Sequence, residues 1–228
     1  MAVPGANDES LRLLRLFQLF DSQLPVGAFA HSGGLETYGQ AGAGLAQLRE
    51  LMTNQVTLGW GRSELATACL AWDAAAGADS NARLERIGLV AGACKVIPAV
   101  RETSLRLGRR TLALLCRLHP QIFGSLNLST PHHAVIVGAA GRMLDLPRAD
   151  VLLGYGHSLL AGALAAATRC MPISPMQAQE LIIELHPALV RAVDDAMRDP
   201  EAGLFTCTPA LDVRSHQQGL LTTRLFQS

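Results

Sequence analysis

Lysine is almost missing from this chain: of nineteen basic residues in 228, one, Lys95, is lysine and the rest are arginine. A phosphate loop of the form G-x-x-x-x-G-K-[ST] needs a lysine after a glycine-rich turn, and the sequence has none there. A Schiff-base lysine has a single candidate. Charge is scarce too, at 17% of residues against roughly 25% in an average globular protein. Nineteen acidic residues balance the nineteen basic ones, which excludes a general field for nucleic acid or an anionic membrane. With 49% hydrophobic residues the chain is no disordered segment, and a surface so short of charge points to association with itself or a partner. The five cysteines form no C-x-x-C pair, so neither a disulfide scaffold nor a zinc ribbon is indicated, and reduced thiols in the cytoplasm are expected. The opening MAVPGANDES carries Asp8 and Glu9 and no basic stretch, so it does not read as a secretory signal.

Strand alternation is also hard to find, whereas apolar residues recur at three- and four-residue steps nearly throughout. The expected fold is all-α: a single-domain bundle of about ten helices over residues 1–200, followed by a partly flexible C-terminal arm, 201–228. Start signals stand at Thr130-Pro131 and at Ser174-Pro175, where Gln177 can complete a capping box. Pro98 and Pro187 are expected to break or interrupt helices. Eighteen uncharged residues between Asp150 and Arg169 approach the length of a membrane span. Their alanines and glycines, with His157 and Ser158, fit a buried core helix and no membrane.

The stretch Leu11 to Tyr38 organises the rest. Between Leu11 and Phe20 the polar positions are Arg12, Arg15 and Gln18, three apart, which on a helix form one narrow stripe. Such a helix lies at the centre of a domain or against a second chain, and the core is the reading adopted here. A loop with Pro25, Gly27, Gly33 and Gly34 follows, and a second helix opens at Leu35.

Candidates for chemistry are few. His31-Ser32-Gly33-Gly34 lacks the G-x-S-x-G pattern of a nucleophile elbow and reads as a turn whose glycines allow positive φ. His132 and His133 are adjacent, so on a helix they point about 100° apart and cannot grip one ion from one face. They are expected to be exposed or capping, with a metal role only where a second chain supplies further ligands. Arg106, Arg109, Arg110 and Arg142 can fork onto carboxylate or phosphate, and their glycine neighbours suggest partner contact. No catalytic set emerges, and no cofactor is indicated. An interaction protein is the first reading; a helical enzyme using His31 or His132 and His133 is the alternative.

The segment Leu24-Pro25-Val26-Gly27-Ala28-Phe29-Ala30-His31-Ser32-Gly33-Gly34-Leu35-Glu36 resembles the signature of the UreF family of urease accessory proteins. Gly108-Arg109-Arg110, His132-His133-Ala134-Val135 running to Gly141-Arg142, and the ending Arg224-Leu225-Phe226-Gln227-Ser228 agree with it in order. The resemblance implies an all-α homodimer without catalytic activity. It further implies binding to the accessory protein UreD, also called UreH, and recruitment of the GTPase UreG. By the same resemblance nickel is expected to enter the urease apoprotein together with the carbon dioxide that carbamylates its lysine, and a nickel carrier is a further alternative. Partner-binding positions implied are Pro25, Gly27, His31, Gly33, Gly34, Glu36, Arg109, Arg110, Arg142, His216, Arg224, Leu225, Phe226 and Ser228, with an arm from Leu211 ordered on binding UreD. The chain departs from the family pattern at Gln217, where Glu is common, and across Gly219 to Thr222, where a Tyr is often found.

Overall fold

A computed structural model describes residues 6–27, 33–221 and 225–226; His31, Arg224 and Ser228 lie outside them. Eleven α-helices follow one another among these residues: α1 (Ala6–Leu19), α2 (Leu35–Gln40), α3 (Leu45–Leu58), α4 (Trp60–Ala74), α5 (Ser80–Cys94), α6 (Pro98–Leu118), the single turn α7 (Pro120–Phe123), α8 (His133–Met143), α9 (Arg148–Cys170), α10 (Pro175–Arg198) and α11 (Pro209–Gln217). Short 3₁₀ turns occupy Glu201–Gly203 and Gln218–Leu220. The all-α expectation and the count of about ten helices hold.

Local chemistry explains most boundaries. Ser174 and Gln177 form the expected capping box, with Gln177 N–H donating to Ser174 Oγ at 3.2 Å and Ser174 N–H to Gln177 Oε1 at 2.9 Å. Pro98 begins α6 instead of ending a helix, because the first turn has no N–H bond to lose. Pro187 does not interrupt α10, which runs on for 24 residues. It lies on the exposed side, where water takes up the carbonyl left without a donor. The Thr130-Pro131 start falls two residues early: His132 is the N-cap of α8, and the Thr130 hydroxyl instead donates to Glu85 of α5 at 2.8 Å.

Helix α4 is the centre, packed by α3, α5, α8, α9 and α10. Its contact with α8 is close because both helices present small residues. Ala68, Ala71, Ala139 and Ala140 are fully buried, and a Cβ on Gly138 would stand 2.1 Å from the Ala68 carbonyl oxygen. Helix α9 adds Leu152, Tyr155, Leu160 and Leu164 to the core. It is long and apolar enough to cross a membrane, yet 44% of its most apolar stretch is buried inside the protein. The core expectation therefore holds for its inner face only, since Leu153, His157 and Ser158 are exposed.

The first helix corrects the reading of the sequence outright. α1 does not lie in the core; two of the three stripe residues reach the body, Arg12 bonding the Asp145 carboxylate and Arg15 reaching the Leu144 carbonyl at 3.4 Å, while Gln18 is exposed. Leu16, Leu19 and Phe20 pack inward, while Leu11, Leu13, Leu14 and Phe17 remain 50%, 49%, 61% and 62% exposed. The two arginines find acceptors at the end of α8, so the apolar face turns to solvent.

Adding one methyl at the α4–α8 crossing, Gly138→Ala, forces backbone apart and is expected to cost about 1–3 kcal/mol. A lowered Tm in thermal unfolding with unchanged helix content checks it.

Candidate functional site

The loop before α2 and the first turn of α2 form a dock for the C-terminal arm. Glu36, one position into α2, is 2% exposed although charged. Its carboxylate accepts the backbone N–H of Leu225 at 2.6 Å, that of Phe226 at 3.3 Å, and Gln218 Nε2 at 3.3 Å. Those donors offset the cost of taking the carboxylate out of water. Gly34, at φ +94°, gives its N–H to Gln218 Oε1 at 3.1 Å. A Cβ there would meet Ser215 Oγ at 2.5 Å, so the glycine is needed for both conformation and close approach. Ser215 Oγ donates to the Gly33 carbonyl and Thr37 Oγ1 to the Arg214 carbonyl, each at 3.1 Å.

Phe226 is 4% exposed, with the Arg169 guanidinium 4.7 Å from its ring centre. Leu225 points outward. The two tail side chains expected as joint anchors thus have opposite fates, one holding the arm and one facing solvent. Gly33, Gly34 and Glu36 come together with Phe226; His216 lies exposed on α11 nearby in the chain.

The other expected positions scatter. Arg110 Nη1 donates to the Val26 carbonyl at 3.5 Å and tops Gly27, beside the exposed Pro25. Arg109 is exposed and paired with Glu102 at 3.5 Å. Arg142 lies over the Trp72 ring at 4.6 Å.

A second polar group lies deeper, at a cavity of about 270 Å³ with apolar walls that include Leu35, Met52, Trp60, Ile97, Leu107 and Leu211. Glu64, Lys95, His133 and Tyr155 border it. Lys95 Nζ lies 2.5 Å from Glu64 Oε1, and the Tyr155 hydroxyl donates to Glu64 Oε2 at 3.0 Å. Burial by itself would raise the Glu64 carboxyl, but the ammonium of Lys95 and the hydrogen bonds hold it below its usual value. Tyr155 is pushed well above its usual value by burial and by the Glu64 charge. The His133 ring nitrogen Nδ1 is 3.4 Å from that hydroxyl, and burial pushes its pKa down to about 4.

His132 and His133 are therefore not surface residues. His132 is 2% exposed, with Nδ1 3.1 Å from Ser104 Oγ, and burial brings its pKa to about 4 as well. The N-cap position turns one ring to α6 and the other to α4 and α9, which is why adjacent histidines face different partners. In both rings burial disfavours the charged form. Among the described residues no group of three or more His, Cys, Asp or Glu side chains is placed to hold a metal ion.

Reading the sequence missed Glu64, Tyr155 and Gln218. Glu64 had one signal, a lone charge facing an otherwise apolar run, Leu65 to Trp72. Gln218 had none, because its partners are about 180 residues away in the chain.

An all-α body carrying its own C-terminal arm in a polar dock, with an apolar helix left outward, is the architecture of a protein that works through contacts with others. Sequence comparison places it. The UreF family model matches residues 43–186. The chain is 30% identical over 222 residues to the urease accessory protein UreF of Actinobacillus pleuropneumoniae serotype 5b (strain L20), covering 93% of this chain and 97% of that one. It is 29% identical over 223 residues to the UreF of Haemophilus influenzae (strain PittEE), covering 93% and 94%. To the UreF of Nostoc sp. (strain PCC 7120 / SAG 25.82 / UTEX 2576) it is 30% identical over 219 residues, covering 94% and 95%. The chain belongs to the UreF family of urease accessory proteins.

Removing one member of the buried pair should be severe: Glu64→Ala leaves Lys95 uncompensated and is expected to cost about 3–5 kcal/mol, while Glu64→Leu with Lys95→Met recovers most of it. Urea unfolding of the three proteins measures the difference. The two histidines have folded pKa values below the free value of 6.5. Stability is thus complete above pH 6.5 and falls toward pH 4, where the unfolded chain binds protons that the folded chain does not. The loss is on the order of 3 kcal/mol for each histidine taken alone. Urea midpoints from pH 7.5 to 4.5 should follow this slope.

Proposed function

We propose that this protein is a non-catalytic scaffold of urease maturation in the cytoplasm. It binds a UreD-type (UreH-type) accessory protein and recruits a UreG-type GTPase, so that nickel enters the urease apoprotein; it works as a homodimer. The observation that carries the reading is the outward apolar face of α1, Leu11, Leu13, Leu14 and Phe17. About half or more of each of these side chains lies in water, on a chain already poor in surface charge. Contiguous apolar area of this kind marks a protein–protein contact.

The arm, residues 201–228, is the second contact region. It closes on the Gly33 to Thr37 turn through hydrogen bonds and one buried ring, and Leu225 stands clear for a partner. Pro25, Gly27, Arg109, Arg110, Arg142 and His216 are assigned to partner contact on the strength of the family resemblance, as are His31, Arg224 and Ser228.

Co-expression with UreD-type and UreG-type partners and a urease apoprotein tests the reading. The intact chain should co-purify with the first two and raise urease activity. Leu14→Asp with Phe17→Asp should abolish co-purification while leaving Tm within a few degrees, since both side chains are exposed. Deleting residues 224–228 should weaken capture of the UreD-type partner. Urease activation that is equal with and without this chain would overturn the scaffold role, and normal capture by the α1 variant would remove that face from it.

A further inference from the structure

Away from the arm dock and the buried cluster, two imidazoles meet on the surface. His157 of α9 and His186 of α10 are both exposed, with ring centres 5.9 Å apart and planes inclined by 46°. Backbone packing sets this meeting. The two helices lie side by side, and Leu189 presses so closely on Gly156 that a Cβ there would stand 2.5 Å from its Cδ1. His157 follows Gly156 directly, and His186 precedes Leu189 by almost one turn, so the rings close over the same seam.

Nothing acidic occupies that seam in the pairing pattern. Glu184, the nearest carboxylate along α10, turns away to Arg49 of α3 at 2.9 Å. One turn from the pair stand the exposed apolar residues Leu153, Ile183 and Val190. The neutral imidazole nitrogen is a donor that metals bind. A metal ion about 2.1 Å from one nitrogen of each of two histidines sets their ring centres roughly 5–6 Å apart. The observed separation falls in that interval.

We propose that His157 and His186 form a bidentate surface site for a borderline divalent transition metal: nickel, zinc or copper. Imidazole donors suit these ions and not magnesium or calcium, which take oxygen. With two protein ligands the remaining positions belong to water or to an incoming ligand. Closed structural zinc sites use four protein ligands; this one is built for exchange. The site stands on the geometry of α9 and α10 and does not rest on the scaffold reading.

Isothermal titration of the full chain, stripped of metal and free of any affinity tag, tests it with nickel chloride, zinc chloride and magnesium chloride. The expected result is saturable nickel and zinc binding that includes this site, and no magnesium binding. Changing a residue that only orients a ligand costs 10–100-fold in affinity, so losing a ligand outright, in His157→Gln or His186→Gln, should cost at least about tenfold. In the double variant the stoichiometry should fall by one ion per chain, with circular dichroism unchanged because both rings are exposed. A second readout is the imidazole proton NMR signals of His157 and His186, which should shift together on adding zinc. Unchanged stoichiometry and affinity in the double variant overturns the proposal, as does an intact chain that binds neither nickel nor zinc. Urease activation equal with and without this chain, with metal binding intact, would instead count against the scaffold reading alone.

Discussion

The close crossing of α4 and α8 is the constraint on which the rest of the fold depends. At Gly138 the α8 backbone comes so near the Ala68 carbonyl that no side chain fits between them. The glycine that weakens α8 alone, with alanines of both helices beside it, is what lets these two meet. That approach carries His133, at the start of α8, toward Glu64 on α4, with Tyr155 of α9 closing the group. The one lysine then completes it from the end of α5, just after Cys94. A buried ion pair of this kind adds little stability over an apolar filling, but losing one partner is costly. It therefore fixes which residues α4, α5, α8 and α9 set against one another.

A second buried carboxylate joins the two ends of the chain. Glu36 has no cation at hydrogen-bonding distance among its described partners; it is solvated by N–H groups of Gln218, Leu225 and Phe226. Hydrogen bonds to a charged acceptor are worth about 1.5–3 kcal/mol each, but they are directional, and the arm can leave only by giving water back to that carboxylate. The turn resembling the UreF signature therefore serves this chain's own arm first.

Polarity is inverted at α1. Amphipathic helices ordinarily turn the apolar stripe inward, yet here two arginines reach Asp145 and Leu144 and four large apolar side chains stay in water. Burial of a Leu or Phe side chain is worth about 1.5–3 kcal/mol, so leaving these four in water forgoes several kcal/mol within the chain. The low overall charge of the sequence is consistent with a molecule whose surface is meant to be covered.

The sequence by itself determined the helical class, the approximate number of helices, the capping box at Ser174 and the family, because period, caps and short motifs are local in the chain. It also located the Gly33 to Glu36 turn as important. Tertiary structure alone decided which face of each helix turns inward. α1 reads as a core helix by composition, but the acceptors for Arg12 and Arg15 come from residues more than a hundred positions away. His132 and His133 read as exposed or capping residues; His132 does cap α8, but its ring is buried against α5 and α6, and that of His133 is half-buried beside Tyr155. Phe226 and Leu225 look alike in sequence; Glu36 accepts the backbone N–H of both, and they part because only the Phe226 ring packs inward, against the Arg169 guanidinium. Pairings such as Glu64 with Lys95, or His157 with His186, depend on helix–helix register, which no local pattern encodes.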